Sequence, residues 1–222
     1  MKPVTVHDPM FRRLSRNVLL RHGLMALLSA GLVLIFAAIH GEWSPMHRWN
    51  RALADASLVL VALSMGLGPL ARLLRPAVLV LPYRRESGIY GCLLALVHAG
   101  IILVGWVEWD LMRLFGFEWH PDLLSYVMLQ HGFGLANAIG IAALLLAILL
   151  ATTSSEVAMR RLGVSGWKFL QMGVLPMWWL TQIPTTEWTQ VHGWVLVFAS
   201  FWLMIAFWGE ATADRQLAQF RQ

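Results

Sequence analysis

Read for apolar and polar positions alone, the chain alternates long apolar runs with short charged stretches. The runs cover roughly residues 19–40, 54–75, 88–107, 126–151, 169–184 and 190–209, numbered here as segments one to six. A bilayer core about 30 Å thick needs about 20 helical residues to cross it, and the runs have that scale. No stretch alternates with the period of two that a membrane β-barrel requires. The pattern predicts an all-α integral membrane protein, a six-transmembrane-helix bundle over residues 19–209, with an arm over 1–18 and a tail over 210–222. No repeat of 20–50 residues stands out. The first run follows a basic stretch, as a signal peptide does, but it is too long and lacks a small-residue exit, so it is expected to remain as the first span.

Composition supports lipid as the solvent. The 222 residues are 58% hydrophobic and 13% charged, against about 25% charged in soluble domains; the mean hydropathy is +0.62. The net charge of +5 would suggest nucleic acid in a soluble chain. Here the basic residues cluster at segment ends, which is an orientation signal and not a nucleic-acid footprint. Arg12, Arg13, Arg16 and Arg21 precede segment one; Arg72, Arg75, Arg84 and Arg85 lie between two and three; Arg160, Arg161 and Lys168 lie between four and five. These regions are expected on the cytoplasmic side of a bacterial inner membrane, with both termini. The stretch 108–122, with Glu108, Asp110, Glu118 and Asp122 against Arg113, is expected outside. Arg48 and Arg51, on the outer side, run against the rule. Cys92 is the only cysteine, so no internal disulfide forms.

Several positions invite a chemical reading. The outer stretch carries Trp106, Trp109, Phe115, Phe117 and Trp119. It reads as an aromatic belt at the membrane interface, with a short surface helix, or as a docking platform for a partner. Gly88, Gly91, Ala95 and His98 share one face of segment three, a small face that admits another helix or a porphyrin. Gly134, Ala138 and Ala142 make a similar stripe in segment four, read as helix packing, with Asn137 as an interhelical hydrogen-bonder. His98 sits near mid-membrane. An intramembrane ionisable residue is a functional candidate, and a neutral histidine satisfied by a backbone or serine partner is the equal alternative. Asp55 is expected to cap segment two. His40, His47, His120, His131 and His192 fall on the outer side without metal-motif spacing and are expected to be solvated. No dinucleotide, P-loop, serine-hydrolase or zinc-protease motif is present.

"GPLARLLRP" at 68–76, "RRESG" at 84–88, His98 ten residues past Gly88, and "LLATTSSEVAMRRLGVSGWKFLQ" at 149–171 resemble, in this order, the ferric-reductase-like transmembrane domain family, and within it the MsrQ (YedZ) group of haem-binding membrane subunits. The resemblance spans roughly residues 50–175. It implies a six-helix bundle holding b-type haem between segments three and five, with electrons passing from a cytoplasmic flavin reductase or quinol to an outer partner. His98 matches the family's haem ligand. The family's segment-five histidines are missing: Gln171 stands at the first position, the second falls near Pro184, and no histidine occurs between His131 and His192. Gln171, Leu175, Trp178 and Gln182 instead form one stripe, and Trp178 would fill porphyrin space. Met172 and Met177 are the substitute axial ligands available, or gap-filling core residues. Arg84 and Arg85 could pair with haem propionates or a flavin phosphate, or serve only as orientation charges. No flavin or nucleotide site is visible in the chain itself.

The expectation is a degenerate member of this family, a structural or assembly accessory of a larger membrane redox or photosynthetic complex, whose partners are lipid and other membrane or periplasmic subunits. The alternative is a haem b electron-transfer subunit. A transporter is disfavoured, because segments one, two and six show no charges expected to be buried.

Overall fold

The computed structural model describes residues 9–73, 80–153 and 160–163, with side chains from residue 18 onward apart from a few between 69 and 79. Helix α1 runs Pro9–Ile39 and α2 runs Pro45–Leu73. A 3₁₀ turn over 80–83 leads into α3, Arg84–Ile101, which continues as a π-helical turn, Ile102–Trp106. A one-turn helix α4, Leu111–Leu114, precedes strands β1, Phe117–His120, and β2, Ser125–Met128. Helix α5 spans His131–Thr153. Four helical stretches, 18–39, 45–68, 80–106 and 131–153, are long and apolar enough to cross a membrane. They correspond to segments one to four. Segments five and six, with Gln171, Met172, Met177, Trp178 and His192, lie outside the described residues.

Helix α2 begins nine residues before the apolar run does. Pro45 opens it, at the position where a missing N–H costs nothing, and Arg48 N already donates to Ser44 O at 2.9 Å. The outer loop expected over 40–51 is therefore mostly helix. The polar residues His47, Arg48, Asn50 and Arg51 hid this from a reading based on apolar runs. Helix α3 likewise starts at Arg84, four residues before its run.

Helices α1, α2 and α3 pack into one unit. Small residues set the α1–α2 distance: Ala37, Ala52 and Ala56 are buried with Phe36, and Leu32, Val33 and Leu94 close around them. In lipid, close approach of backbones replaces the hydrophobic effect as the force between helices. The α2–α3 seam is tighter. A Cβ on Gly91 would lie 2.9 Å from Val61 Cγ2 and 3.2 Å from Val61 N, so only glycine fits there. At the far end of α3, Gly105 in the π-helical turn meets the Met46 thioether, and Trp106 packs edge-on to His47 with ring centroids 4.4 Å apart.

The outer stretch folds into more than the short surface helix expected of it. Asp110 caps α4 by accepting from Met112 N at 2.9 Å. Beyond it stands an antiparallel hairpin with Phe117 opposite Met128 and His120 opposite Ser125. The run of segment four, expected from 126, thus begins as strand and becomes helical only at His131. Gly116, at φ +83, and Gly134 bring the two arms together so closely that a Cβ on either would strike the opposite backbone.

Candidate functional site

The α2–α3 seam contains His98 and the small face expected to admit a helix or a porphyrin. The structure gives that face to α2. Gly88 faces Ser64, whose Oγ would be 2.9 Å from a Cβ there, and Gly91 is buried against Leu60 and Val61. Two serines stitch the seam: Ser57 Oγ donates to Gly91 O at 2.8 Å, and Ser87 Oγ donates to Leu60 O at 2.7 Å. A hydroxyl with no water to bond must find a carbonyl or bear a large desolvation cost, and each of these has found one on the facing helix.

His98, two turns beyond Gly91, continues the seam. Its Nδ1 lies 3.0 Å from Asn50 O on α2. A carbonyl can only accept, so Nδ1 carries a proton, and in the neutral ring Nε2 then keeps its lone pair. That tautomer is the one a metal-ligating histidine needs, with the second nitrogen donating to a backbone carbonyl. It is equally the form of a neutral histidine cross-linking two helices. On the Gly88–Gly91–Ala95 face the residues do not fit a porphyrin, because Leu60, Val61 and Ser64 occupy the space that the macrocycle would take.

The buried ionisable groups lie where the apolar pattern gave no sign of them. Asp55 does not cap α2. It stands ten residues inside the helix, 1% exposed, with His40 Nε2 2.8 Å from its Oδ2. His40 is 2% exposed, not solvated at the interface. Glu86, 3% exposed on α3, holds Arg21 Nε of α1 at 3.2 Å through Oε1. Segment two therefore does carry a buried ionisable group, Asp55, and His40, which closes segment one, is buried with it. Asp55 is matched by His40 in the turn that follows α1, and Glu86 by Arg21 of α1, which is the arrangement of a cross-link.

The same test separates the two arginines expected to hold an anion. Arg84 Nε donates to Ser64 O at 2.9 Å, and its guanidinium lies over Gly68. Arg85 is exposed. "RRESG" thus works as a three-way joint. Arg84 and Ser87 reach α2, while Glu86 and Tyr90 reach α1, the latter donating to His22 O at 3.1 Å. Arg48 and Arg51 are also engaged: Arg48 Nε donates to Ala37 O at 2.7 Å near the end of α1, and Arg51 sits 4.0 Å over the Trp43 ring. Asn137 Nδ2 donates to Leu114 O at 2.9 Å, tying α5 to α4, not to another span. Ala138 and Ala142 are exposed, so of the segment-four stripe Gly134 alone is buried.

Outside the spans, Tyr126 OH donates to Asp110 Oδ2 at 3.1 Å, which pushes the phenol above its ordinary value. Among the described residues no three His, Cys, Asp or Glu side chains gather in a group that could hold a metal ion. Sequence reasoning missed Asn50, Ser57, Ser87 and the two buried pairs. The serine–proline pair at 44–45 was the available signal, since starting α2 there places Asn50 and Asp55 inside a span. Compared with protein-family models and with curated proteins, the chain matches none.

Proposed function

We propose that this chain is a structural or assembly accessory subunit of a larger membrane redox or photosynthetic complex, seated in a bacterial inner membrane with both termini in the cytoplasm. What supports the reading is one observation: the small face of α3 is closed by Val61 and Ser64 of α2, so the feature that resembles a haem groove in sequence is a helix–helix seam. Two of the motifs that carry the resemblance to the ferric-reductase-like family, the 84–88 stretch and His98, have structural work here. Arg84, Glu86, Ser87 and Gly88 join three helices, and His98 bridges two. The missing segment-five histidines point the same way.

A second reading is kept by the His98 tautomer, which leaves Nε2 as a ligand atom. On that reading the chain is a haem b electron-transfer subunit, with Met172 or Met177 opposite His98. The deciding experiment is a reduced-minus-oxidised spectrum with a pyridine haemochrome assay on purified, haem-supplied protein in mild detergent. The accessory reading expects a featureless spectrum, and a His98→Ala variant that still assembles with the partners co-purified by the parent. Stoichiometric haem that disappears in His98→Ala would sink it in favour of the second reading.

A further inference from the structure

The β1–β2 hairpin is amphipathic in an inverted sense. Its register puts Phe117, Trp119, Tyr126 and Met128 on one face and Glu118, His120, Ser125 and Val127 on the other. A hairpin in water turns its apolar face to the protein. Here Trp119 is 54% exposed, while Glu118 and His120 are half-buried, and Glu118 accepts from Gln130 Nε2 at 2.6 Å. The tip adds to this, with Leu123 63% and Leu124 75% exposed.

The backbone is shaped to present these groups. Among the described residues, the non-glycine positions at positive φ are Glu108, Trp109 and Leu124. All lie in this one segment, and two of the three are large apolar residues turned outward. Left-handed backbone is unfavourable for such side chains. The segment is nevertheless built firmly: Asp110 caps α4 and takes the Tyr126 hydroxyl, Trp119 packs edge-on to Tyr126 at 5.4 Å, and Gly116 locks against the first turn of α5.

We propose that this hairpin lies in the bilayer interface on its own side of the membrane, with the Phe117–Trp119–Tyr126–Met128 face and the Leu123–Leu124 tip inserted among lipid headgroups and upper acyl chains. Three observations select lipid as the occupant. The hairpin is strung between the ends of two membrane-capable helices, Trp106 and His131, so it cannot stand far from the interface. Its exposed side chains are the tryptophan, tyrosine and leucine that favour that layer. The spans that flank it in sequence also expose apolar side chains, Val104 before it and Leu135 after it. Residues 107–130 hold four acidic groups and one arginine, so attachment is by apolar insertion and needs no anionic lipid.

The test uses the full chain in phosphatidylcholine vesicles. In a Cys92→Ser background, nitroxide labels are placed at Trp119→Cys, Leu124→Cys and His120→Cys, and collision with oxygen and with a water-soluble nickel chelate is measured. The expected result is an oxygen-to-nickel ratio several-fold higher at 119 and 124 than at 120, unchanged when phosphatidylglycerol is added. Equal, high nickel access at 119 and 124 would place the hairpin in water and overturn the proposal. Protection of both from oxygen and nickel together would mean that protein covers the face, and would overturn it as well. Because Trp119→Cys removes an aromatic contact, brominated-lipid quenching of the unlabelled chain against Trp119→Phe gives an independent reading. Insertion requires that the emission lost in Trp119→Phe be a quenched component.

Discussion

His98 and Asp55 are both ionisable groups inside apolar helices; His98 has its partner on α2, and Asp55 has its partner in the turn just past α1. His98 gives one nitrogen to the Asn50 carbonyl; Asp55 and His40 hold one another at 2.8 Å with almost no exposure. For a buried pair, losing one member is worse than losing both, because the survivor is left polar and unmatched. Asp55→Ala is therefore expected to destabilise the α1–α2 unit by about 3–5 kcal/mol, read as a lowered thermal midpoint in detergent. His40→Leu combined with Asp55→Leu is expected to recover much of that loss. Additive losses in the double variant would show that the two side chains do not act as a pair. At this scale the sequence was partly legible. His98 stood out because a lone histidine in an apolar run is visible, whereas Asp55 and His40 looked peripheral once α2 was read as starting at residue 54.

That misplacement belongs to the elements, and its cause is physical. Apolar runs report the lipid-facing length of a helix, not the length that is hydrogen-bonded, so polar first turns that pack on other helices are cut off. The hairpin escaped for a related reason: four-residue strands with mixed apolar and polar neighbours give too short a period to see. The α2–α3 seam, in contrast, was visible as a small-residue face, and what remained open was its occupant. The seam makes a graded prediction. A methyl on Gly91 meets Val61 backbone nitrogen at 3.2 Å and the Leu60 Cβ at 3.3 Å, atoms that cannot swing aside, whereas a methyl on Gly88 meets only the rotatable Ser64 side chain. Overpacking of a fixed core costs about 1–3 kcal/mol. Gly91→Ala is expected to lie in that range and Gly88→Ala well below it, in the same thermal assay. Were a cofactor and not α2 seated on this face, the two substitutions would instead alter cofactor binding and leave the apo-protein's stability alike.

For the whole molecule, the helices' ends can be matched by contact. Arg21 of α1, Ser64 of α2 and Arg84 of α3 meet at one end, while Ala37, Arg48 and His47 meet the Trp106 turn at the other, so the first three helices run alternately up and down. Positive charge follows the same division. Arg84 and Arg85 stand at the first end with Arg21, and the stretch 107–130, with four acidic residues and one arginine, follows the second. Arg48 and Arg51 interrupt this pattern in sequence but not in energy: one arginine is spent on the Ala37 carbonyl and the other lies over Trp43, so neither acts as a free loop charge. Basic residues in the short connections near span ends set orientation, and the orientation proposed above puts the Arg84–Arg85 end in the cytoplasm. In a Cys92→Ser chain expressed in bacteria, Asp122→Cys is then expected to react with a membrane-impermeant maleimide in intact cells, and Leu162→Cys only in inverted vesicles. The opposite labelling would reverse the orientation. Labelling of both from the same side would mean that α5 does not cross, and the four-span reading of the described residues would fall with it.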